Sequence, residues 1–168
     1  VNIGRRNAKI VLMDFTGVVR AERATSFDYP LPADIFGFLK IAFEELTAML
    51  GPDQRDRSCG VGVAAPFELW NWHEIVGASA EEFSLWKGIS FQDEIAEFSD
   101  LPVHVVNDAT AACRAEHIYG RGKEFRDYAY FFVAAFVGGG IVLNHSVFEG
   151  HQGNAGSLGS LRSVGHNG

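Results

Sequence analysis

The sequence lacks several features that would assign the chain to a special class of protein. Its two cysteines, Cys59 and Cys113, form no CxxC pair, and their apolar surroundings indicate small buried residues in a reducing cytoplasm. No run of about eighteen apolar residues is available for a membrane-spanning helix. No charged-then-apolar segment of the signal-peptide type opens the chain either.

Positive charge is also scarce. Lysine and arginine together number 14 against 21 aspartates and glutamates, which gives a net charge of −7. Because phosphate contacts need clustered Lys and Arg, the chain as a whole is not a nucleic-acid-binding surface. Hydrophobic residues, in contrast, make up 47% of the 168 residues and include 14 phenylalanines. That content excludes disorder, and the length fits one domain or one lobe of a larger protein.

The first half of the chain predicts strands followed by a helix. Ala8–Phe15 is predicted to be a strand, with a tight turn at Thr16-Gly17 and a hairpin partner over Val18–Tyr29. Pro32 stands near the first turn of a helix, and apolar residues at helical spacing continue it to Leu50. Cys59–Ala65 is predicted to be a short buried strand.

The second half predicts alternating helices and strands. After an irregular aromatic stretch, Gln92–Phe98 is predicted to be helical and Val103–Val106 a strand. A helix is predicted from Asp108 to about Tyr119. Two further strands, Tyr128–Val137 and Ile141–Phe148, are separated by three glycines of the kind that form a hinge or tight turn. The order suits an α/β fold, a mixed sheet with flanking helices of the ribonuclease-H-like type.

Asp108 stands where an apolar strand ends and a helix begins. In open α/β sheets, ligands bind outside the carboxyl ends of the strands. The N–H dipoles of the first helical turn favour the ionised carboxylate, which can accept a proton from a bound hydroxyl or hydrogen-bond it. Aspartate is also favoured as a helix N-cap for local reasons. The residues alone therefore leave both roles open, and the two are compatible.

The chain carries three different motifs. They are Asn107–Ala112, then Gly138-Gly139-Gly140 with Gly153–Ser160 at a fixed distance after it, and Asn2–Arg6 at the start. Together they resemble the ROK family, which groups repressors, open-reading-frame proteins and sugar kinases. The resemblance implies an actin-like fold of the sugar-kinase superfamily. It also implies that these motifs correspond to a general-base position, a glycine loop, a sugar-site signature and a first phosphate loop.

The resemblance further implies a kinase site that is only partly kept. Asp108 stands at the position of the general base. Gly4 is a remnant of the first phosphate loop, but Asn2 replaces the kinases' acidic residue. Arg5 adds a Cβ and a long side chain where backbone must approach phosphate closely. Gly138, Gly139 and Gly140 are remnants of the second loop, and Ala134, Ala135 and Phe136 stand where the kinases carry Gly-Thr-Gly.

The sugar site implied by the resemblance is altered as well. Ser157 and Ser160 correspond to the family's Glu and His, and each is a shorter, neutral hydrogen-bonding group. Asn107, Asp108, Ser157 and Ser160 are therefore the predicted ligand-binding residues. No metal is predicted, because the histidines fall at no metal-ligand spacing and are expected to be surface or satisfied polar residues.

Three tryptophans, Trp70, Trp72 and Trp86, lie in the aromatic stretch. Trp70 or Trp72 is predicted to lie near the ligand. At least one of the three is expected instead in a hydrophobic cluster beneath a long loop.

These observations predict a non-catalytic, sugar- or polyol-sensing effector domain of a ROK-type transcriptional regulator, with no cofactor. Residues 1–106 are expected to form an N-terminal actin-like lobe with a truncated first strand, and residues 107–168 the start of a second, incomplete lobe. DNA is expected to be read by a winged helix upstream of Val1 in a homodimer. A ligand that closes the cleft between the lobes would change the spacing of the two readers. The alternatives are an enzyme, namely a sugar kinase using ATP and Mg²⁺ with atypical loops, and a structural lobe for oligomerisation.

Overall fold

Short segments within the first 107 residues pair into a five-stranded sheet. The computed structural model describes residues 1–67, 69–73, 77–133 and 137–160, and divides the chain into two compact units, Val1–Val106 and Asn107–Gly168. The strands of the first unit's sheet are β1 (Asn2–Ile3), β2 (Asn7–Met13), β3 (Val19–Ser26), β4 (Val61–Ala65) and β5 (Val103–Asn107).

The sheet is mixed, as predicted. Its strand order is β3-β2-β1-β4-β5, with β1 antiparallel to β2 and parallel to β4. The first strand is only two residues long, and the amino group of Val1 donates to the carbonyl oxygen of Gly62 at 2.6 Å.

The β2–β3 hairpin turns where the sequence predicts. Gly17 has a φ of +83°, which a side chain at that position would disfavour. Asp14 fixes the turn, because its Oδ1 accepts hydrogen bonds from the N–H groups of Thr16 and Val18 at 2.9 and 3.1 Å. Hydrogen bonds from the Thr16 hydroxyl and from Arg20 hold the pKa of this carboxyl well below its ordinary range.

The long helix α1 (Pro32–Ala48) covers the sheet. Proline is tolerated at its first position because the missing N–H would have no intrahelical partner there. The core is formed by side chains at helical spacing together with the inward residues of β1, β2 and β4; these are Ile35, Leu39, Ala42, Leu46, Ile3, Ile10 and Val63. The helix predicted to run from Pro32 to Leu50 is confirmed, and it ends two residues earlier.

The aromatic stretch is less irregular than predicted. Its described residues form two 3-10 turns, Leu69–Asn71 and Leu85–Gly88, and the short helix α3 (Ala80–Ser84). The helix α2 (Pro52–Arg55) precedes the stretch, and α4 (Phe91–Ala96) follows it. The prediction that Cys59 is buried is wrong. It is exposed because β4 begins only at Val61.

Trp86 is a core residue of the first unit. It is 3% exposed, and its indole Nε1 donates to the carbonyl oxygen of the fully buried Pro30 at 2.8 Å. Its ring is tilted against those of Phe36 and Phe91. Trp86 thus packs in the main core and not in the separate cluster beneath a long loop that the sequence predicts for at least one tryptophan. Trp70 and Trp72 are half-buried against the same core, and their proximity to a ligand stays a prediction.

The second unit is a helix on an antiparallel sheet. The helix α5 (Asp108–Tyr119) is followed by β6 (Tyr128–Val133), β7 (Val137–Leu143) and β8 (Ser146–Phe148), in the order β6-β7-β8. Buried Cys113, as predicted for that cysteine, lies on α5.

The boundaries of these strands correct two predictions. The three glycines lie inside β7, where Gly138, Gly139 and Gly140 pair with residues of β6, so they form neither a hinge nor a turn. The single strand predicted over Ile141–Phe148 is interrupted at Asn144 and His145, whose φ values of 52° and 57° make the turn into β8.

Of the strand predicted over Tyr128–Val137, the part up to Val133 is confirmed, and Val137 belongs to β7. Ala134, Ala135 and Phe136 lie outside the residues that the structure describes.

Across the described ranges, none of the helices is both long and apolar enough to span a bilayer.

Replacing Trp86 tests the packing of the first unit. Trp86→Phe keeps an aromatic ring but removes the donor to the buried Pro30 carbonyl, and we expect a loss of about 1–3 kcal/mol in the free energy of unfolding. Leu85→Ala, at the exposed neighbouring position, is the matched control and should cost no more than about 0.5 kcal/mol. Urea denaturation measures both, and equal effects would contradict this account of the core.

Candidate functional site

The candidate site begins where β5 passes into α5. Asn107 is the N-cap of the helix, since its Oδ1 accepts hydrogen bonds from the N–H groups of Ala109 at 3.1 Å and Thr110 at 3.2 Å. These N–H groups have no carbonyl partner within the helix. Of the two roles that the sequence leaves open for Asp108, the N-cap role is filled by the preceding Asn107, because Asp108 is the first helical residue.

Asp108 places a half-buried carboxylate at this helix start. Its Oδ1 accepts a hydrogen bond from the Ala109 N–H at 2.8 Å. Burial raises the pKa of Asp108 above its ordinary value, and the hydrogen bond from Ala109 only partly offsets that rise. The sequence predicts that the first helical turn favours the ionised form, but the net direction in the structure is the opposite, because burial raises the pKa more than the backbone hydrogen bonds lower it. A carboxylate of raised pKa can accept a hydrogen bond or a proton from a hydroxyl group.

Two glycines of β7 bring α5 close to the sheet. A Cβ built on Gly138 would lie 2.8 Å from the Cβ of Ala109, and one on Gly140 would collide with Cβ and Sγ of Cys113. Ala109 and Cys113 are both buried. The first turn of α5 therefore rests directly on the strand, with no side chain between them.

The block that resembles the sugar-site signature packs on the same strand. A Cβ on Gly139 would lie 2.7 Å from Cδ1 of Leu158. Side chains at Gly156 and Gly159 would collide with the carbonyl oxygens of Gly139 and Val137. Because successive side chains point to opposite faces of a strand, Leu158 and α5 lie on opposite faces of β7.

The structure brings Ser157 and Ser160 together. Their Oγ atoms are 3.2 Å apart, and the Ser160 hydroxyl donates to the Ser157 carbonyl oxygen at 2.8 Å. Both side chains are exposed. Two adjacent neutral hydroxyls can hydrogen-bond a polar ligand, but they supply neither a carboxylate nor an imidazole.

Gly4 belongs to the first unit and makes a turn there. Its N–H donates to the carbonyl oxygen of Asn7 at 2.8 Å, and an added Cβ would lie 2.6 Å from Oδ1 of Asn7. The tight turn between β1 and β2 therefore explains why residue 4 is a glycine.

His117 is a satisfied polar residue, as predicted for the histidines. Its Nε2 lies 3.0 Å from the carbonyl oxygen of His145 and must carry the proton, since a carbonyl oxygen only accepts. In neutral His117, Nδ1 then accepts from the Tyr128 hydroxyl at 3.2 Å. This contact and the Arg114–Glu149 ion pair were not predicted from the sequence. The only signal was that Ala109, Cys113 and His117 recur at a spacing of four on one helix face.

Within the described parts of the chain, three or more His, Cys, Asp or Glu side chains nowhere cluster closely enough to hold a metal ion.

The fold and the site define a class of α/β proteins with actin-like lobes, and comparison with known proteins gives the family. The ROK family profile matches residues 1–166, and the chain belongs to the ROK family. The predicted resemblance and fold class are thereby confirmed.

Curated relatives include both regulators and kinases. The chain is 26% identical over 102 residues to a xylose repressor of Bacillus subtilis, covering 61% of this chain and 26% of the relative. It is 33% identical over 79 residues to a glucokinase of Streptomyces coelicolor, covering 47% of this chain and 25% of the relative. An uncharacterized Sinorhizobium fredii protein is 26% identical over 148 residues, which cover 88% of this chain and 37% of that protein. The chain thus spans well under half the length of these relatives.

Solved structures give the same fold from both branches. A ROK family transcriptional regulator, a homolog of the Escherichia coli MLC protein, superposes with a TM-score of 0.71 at 23% identity over 98% of this chain and 41% of that chain. A ROK family glucokinase from Streptomyces griseus, solved with glucose and AMPPNP, gives a TM-score of 0.73 at 21% identity over 97% of this chain and 49% of that chain.

The capping role of Asn107 can be measured. Asn107→Ala removes the acceptor of the Ala109 and Thr110 N–H groups, and we expect a loss of about 1 kcal/mol in the free energy of unfolding. Asn107→Ser keeps a capping oxygen and is the matched control, with a much smaller loss expected. If the two variants were equally stable in denaturant titrations, Asn107 would not be the cap.

The pKa of Asp108 predicts a pH-dependent effect of its removal. The native pKa lies above that of the unfolded chain, so the native state binds more protons and ionisation of this group favours unfolding. Asp108→Asn should therefore stabilise the protein at neutral pH. The gain should disappear at about pH 3, where the carboxyl is protonated in both states. Chemical denaturation of both proteins at the two pH values measures the difference, and a gain that grew on acidification would contradict the assignment.

Proposed function

We propose that the chain is a sugar- or polyol-sensing effector domain of a ROK-type transcriptional regulator and does not catalyse phosphoryl transfer. The observation that carries the proposal is the contrast between a kept helix start and altered phosphate loops. Asn107 and Asp108 present a capped helix with a half-buried carboxylate. The residues that would approach a nucleotide are changed in both of the loops that correspond to the kinases' phosphate loops.

The first phosphate loop supports a non-catalytic role. The segment that should approach phosphate is a tight turn closed by the Gly4–Asn7 hydrogen bond, and it carries Arg5 and Arg6. A close approach of backbone to phosphate needs residues without side chains. In the second loop, Ala134, Ala135 and Phe136 offer neither the glycines nor the hydroxyl of the kinases.

The serine pair supports a neutral hydroxylated ligand. Ser157 and Ser160 are exposed and adjacent, and their two hydroxyls can each donate to and accept from a polar ligand. Sugars and polyols match such a set, because each hydroxyl both donates and accepts. The xylose repressors among the relatives make D-xylose a first probe, and the glucokinases make D-glucose a second.

Signalling to DNA would follow from a shift in population. We propose that a winged helix outside this chain reads DNA and that the protein acts as a cytoplasmic homodimer. A ligand can shift the equilibrium between two arrangements only by its difference in affinity for them.

One observation favours an ATP-dependent sugar kinase with atypical phosphate loops as the second candidate. Asp108 at the base position has a raised pKa, and carboxylates of raised pKa suit general-base catalysis near neutral pH. ATP and Mg²⁺ would then be required as cofactors.

Ligand binding and catalysis can be separated in one set of measurements. We expect D-xylose or D-glucose to raise the melting temperature of the full protein that carries this chain, because ligands of the native state stabilise it. Asp108→Ala should remove the shift, while Asp100→Ala, at an exposed position, should keep it.

No sugar-dependent ADP release is expected from the same protein with ATP and Mg²⁺. Sugar-dependent ADP release that Asp108→Asn abolishes would overturn the proposal and establish the kinase. If the sugar raised the melting temperature of Asp108→Ala as much as that of the wild type, Asp108 would not be part of the binding site.

A further inference from the structure

One face of α5 packs on the sheet. At the end of the helix nearest Asp108, the residues in this contact are small. Ala109, Cys113 and His117 follow one another at intervals of four and therefore share a face. Ala109 and Cys113 lie against Gly138 and Gly140, whereas His117 reaches the Tyr128 hydroxyl with a full side chain. The distance of the first helical turn from β7 is thus set by the absence of side chains on the strand.

The contact at Gly138 leaves no room for a methyl group. An added Cβ would lie 2.8 Å from the Cβ of Ala109, whereas carbon atoms in contact are normally about 3.5–4.0 Å apart. The Ala109 Cβ is attached directly to the helix backbone, so the helix itself must move by on the order of 1 Å. Gly138 lies in a strand and does not have a positive φ, so alanine is compatible with its backbone.

Ala109 is also the residue that connects the helix start to the candidate ligand groups. Its N–H donates to Oδ1 of Asn107 at 3.1 Å and to Oδ1 of Asp108 at 2.8 Å. A displacement of Ala109 therefore changes both hydrogen bonds and the position of the Asp108 carboxylate.

We infer that Gly138 is a positioning residue, whose missing side chain sets the height of the first turn of α5 over β7 and thereby the place of Asn107 and Asp108. The consequence for ligand affinity rests on the proposed function. The placement of the helix start does not depend on it.

The test is a steric swap with a matched control. Gly138→Ala adds the methyl group, Ala109→Gly removes the one that it meets, and the double variant exchanges the two. Gly62→Ala is the control, because Gly62 also lies in a strand and an added Cβ there has no atom of another residue within 4 Å. Two quantities are measured well below the melting temperature: the affinity for D-xylose and D-glucose, and the hydrogen exchange of the Thr110 N–H, which donates to Asn107.

The inference predicts opposite results for the single and double variants. Gly138→Ala should weaken sugar binding by at least about tenfold, given how strongly a shift of about 1 Å affects a site, and should accelerate Thr110 exchange. The double variant should restore both towards wild type, and Gly62→Ala should change neither. If Gly138→Ala proves too unstable to measure, the double variant must still fold and protect Thr110.

Two results would overturn the inference: wild-type affinity and exchange in Gly138→Ala, or a double variant no better than Gly138→Ala. A wild-type protein that binds neither sugar would contradict the proposed function instead. Thr110 exchange would then still decide whether Gly138 positions the helix.

Discussion

The close contact of α5 with β7 is the constraint on which the second unit depends. It exists because Gly138 and Gly140 carry no side chains where Ala109 and Cys113 approach. On the opposite face, Gly139 leaves space for Leu158, and Gly156 and Gly159 let the last described segment lie on the strand backbone. Close packing on both faces of one strand means that even a single methyl group must displace an element of structure. The glycines that resemble a phosphate loop thus have a structural reason to be there.

Two neighbouring residues at the start of α5, Asn107 and Asp108, have separate roles. Asn107 supplies the capping oxygen, so the helix does not need the carboxylate of Asp108 as its cap. Asp108 is left half-buried, and burial raises the pKa of its carboxyl. The carboxylate itself fits either role, because it can accept a hydrogen bond or a proton from a hydroxyl group. Our proposal of binding without phosphoryl transfer therefore depends on the altered phosphate loops and not on Asp108.

The sequence predicted elements with strong periodicity and failed where three-dimensional contacts decide. The helix beginning at Pro32 and the turn at Thr16-Gly17 follow from local rules, and both were predicted. The triple glycine was assigned to a turn because glycine usually marks one, whereas pairing with β6 and the approach of α5 place it within a strand. The raised pKa of Asp108 was missed for a similar reason. Dipoles of a helix start can be inferred from sequence, but burial cannot. The roles of Ser157 and Ser160 came only from the family resemblance and remain to be tested.

Calorimetry with nucleotide present tests the central claim most directly. D-xylose or D-glucose is titrated into the full protein that carries this chain, once alone and once with ATP and Mg²⁺. The account predicts a saturable heat of sugar binding that is the same in both titrations and returns to baseline after each injection. A sustained heat that appears only with ATP and persists until the sugar is consumed would show phosphoryl transfer and would contradict the account.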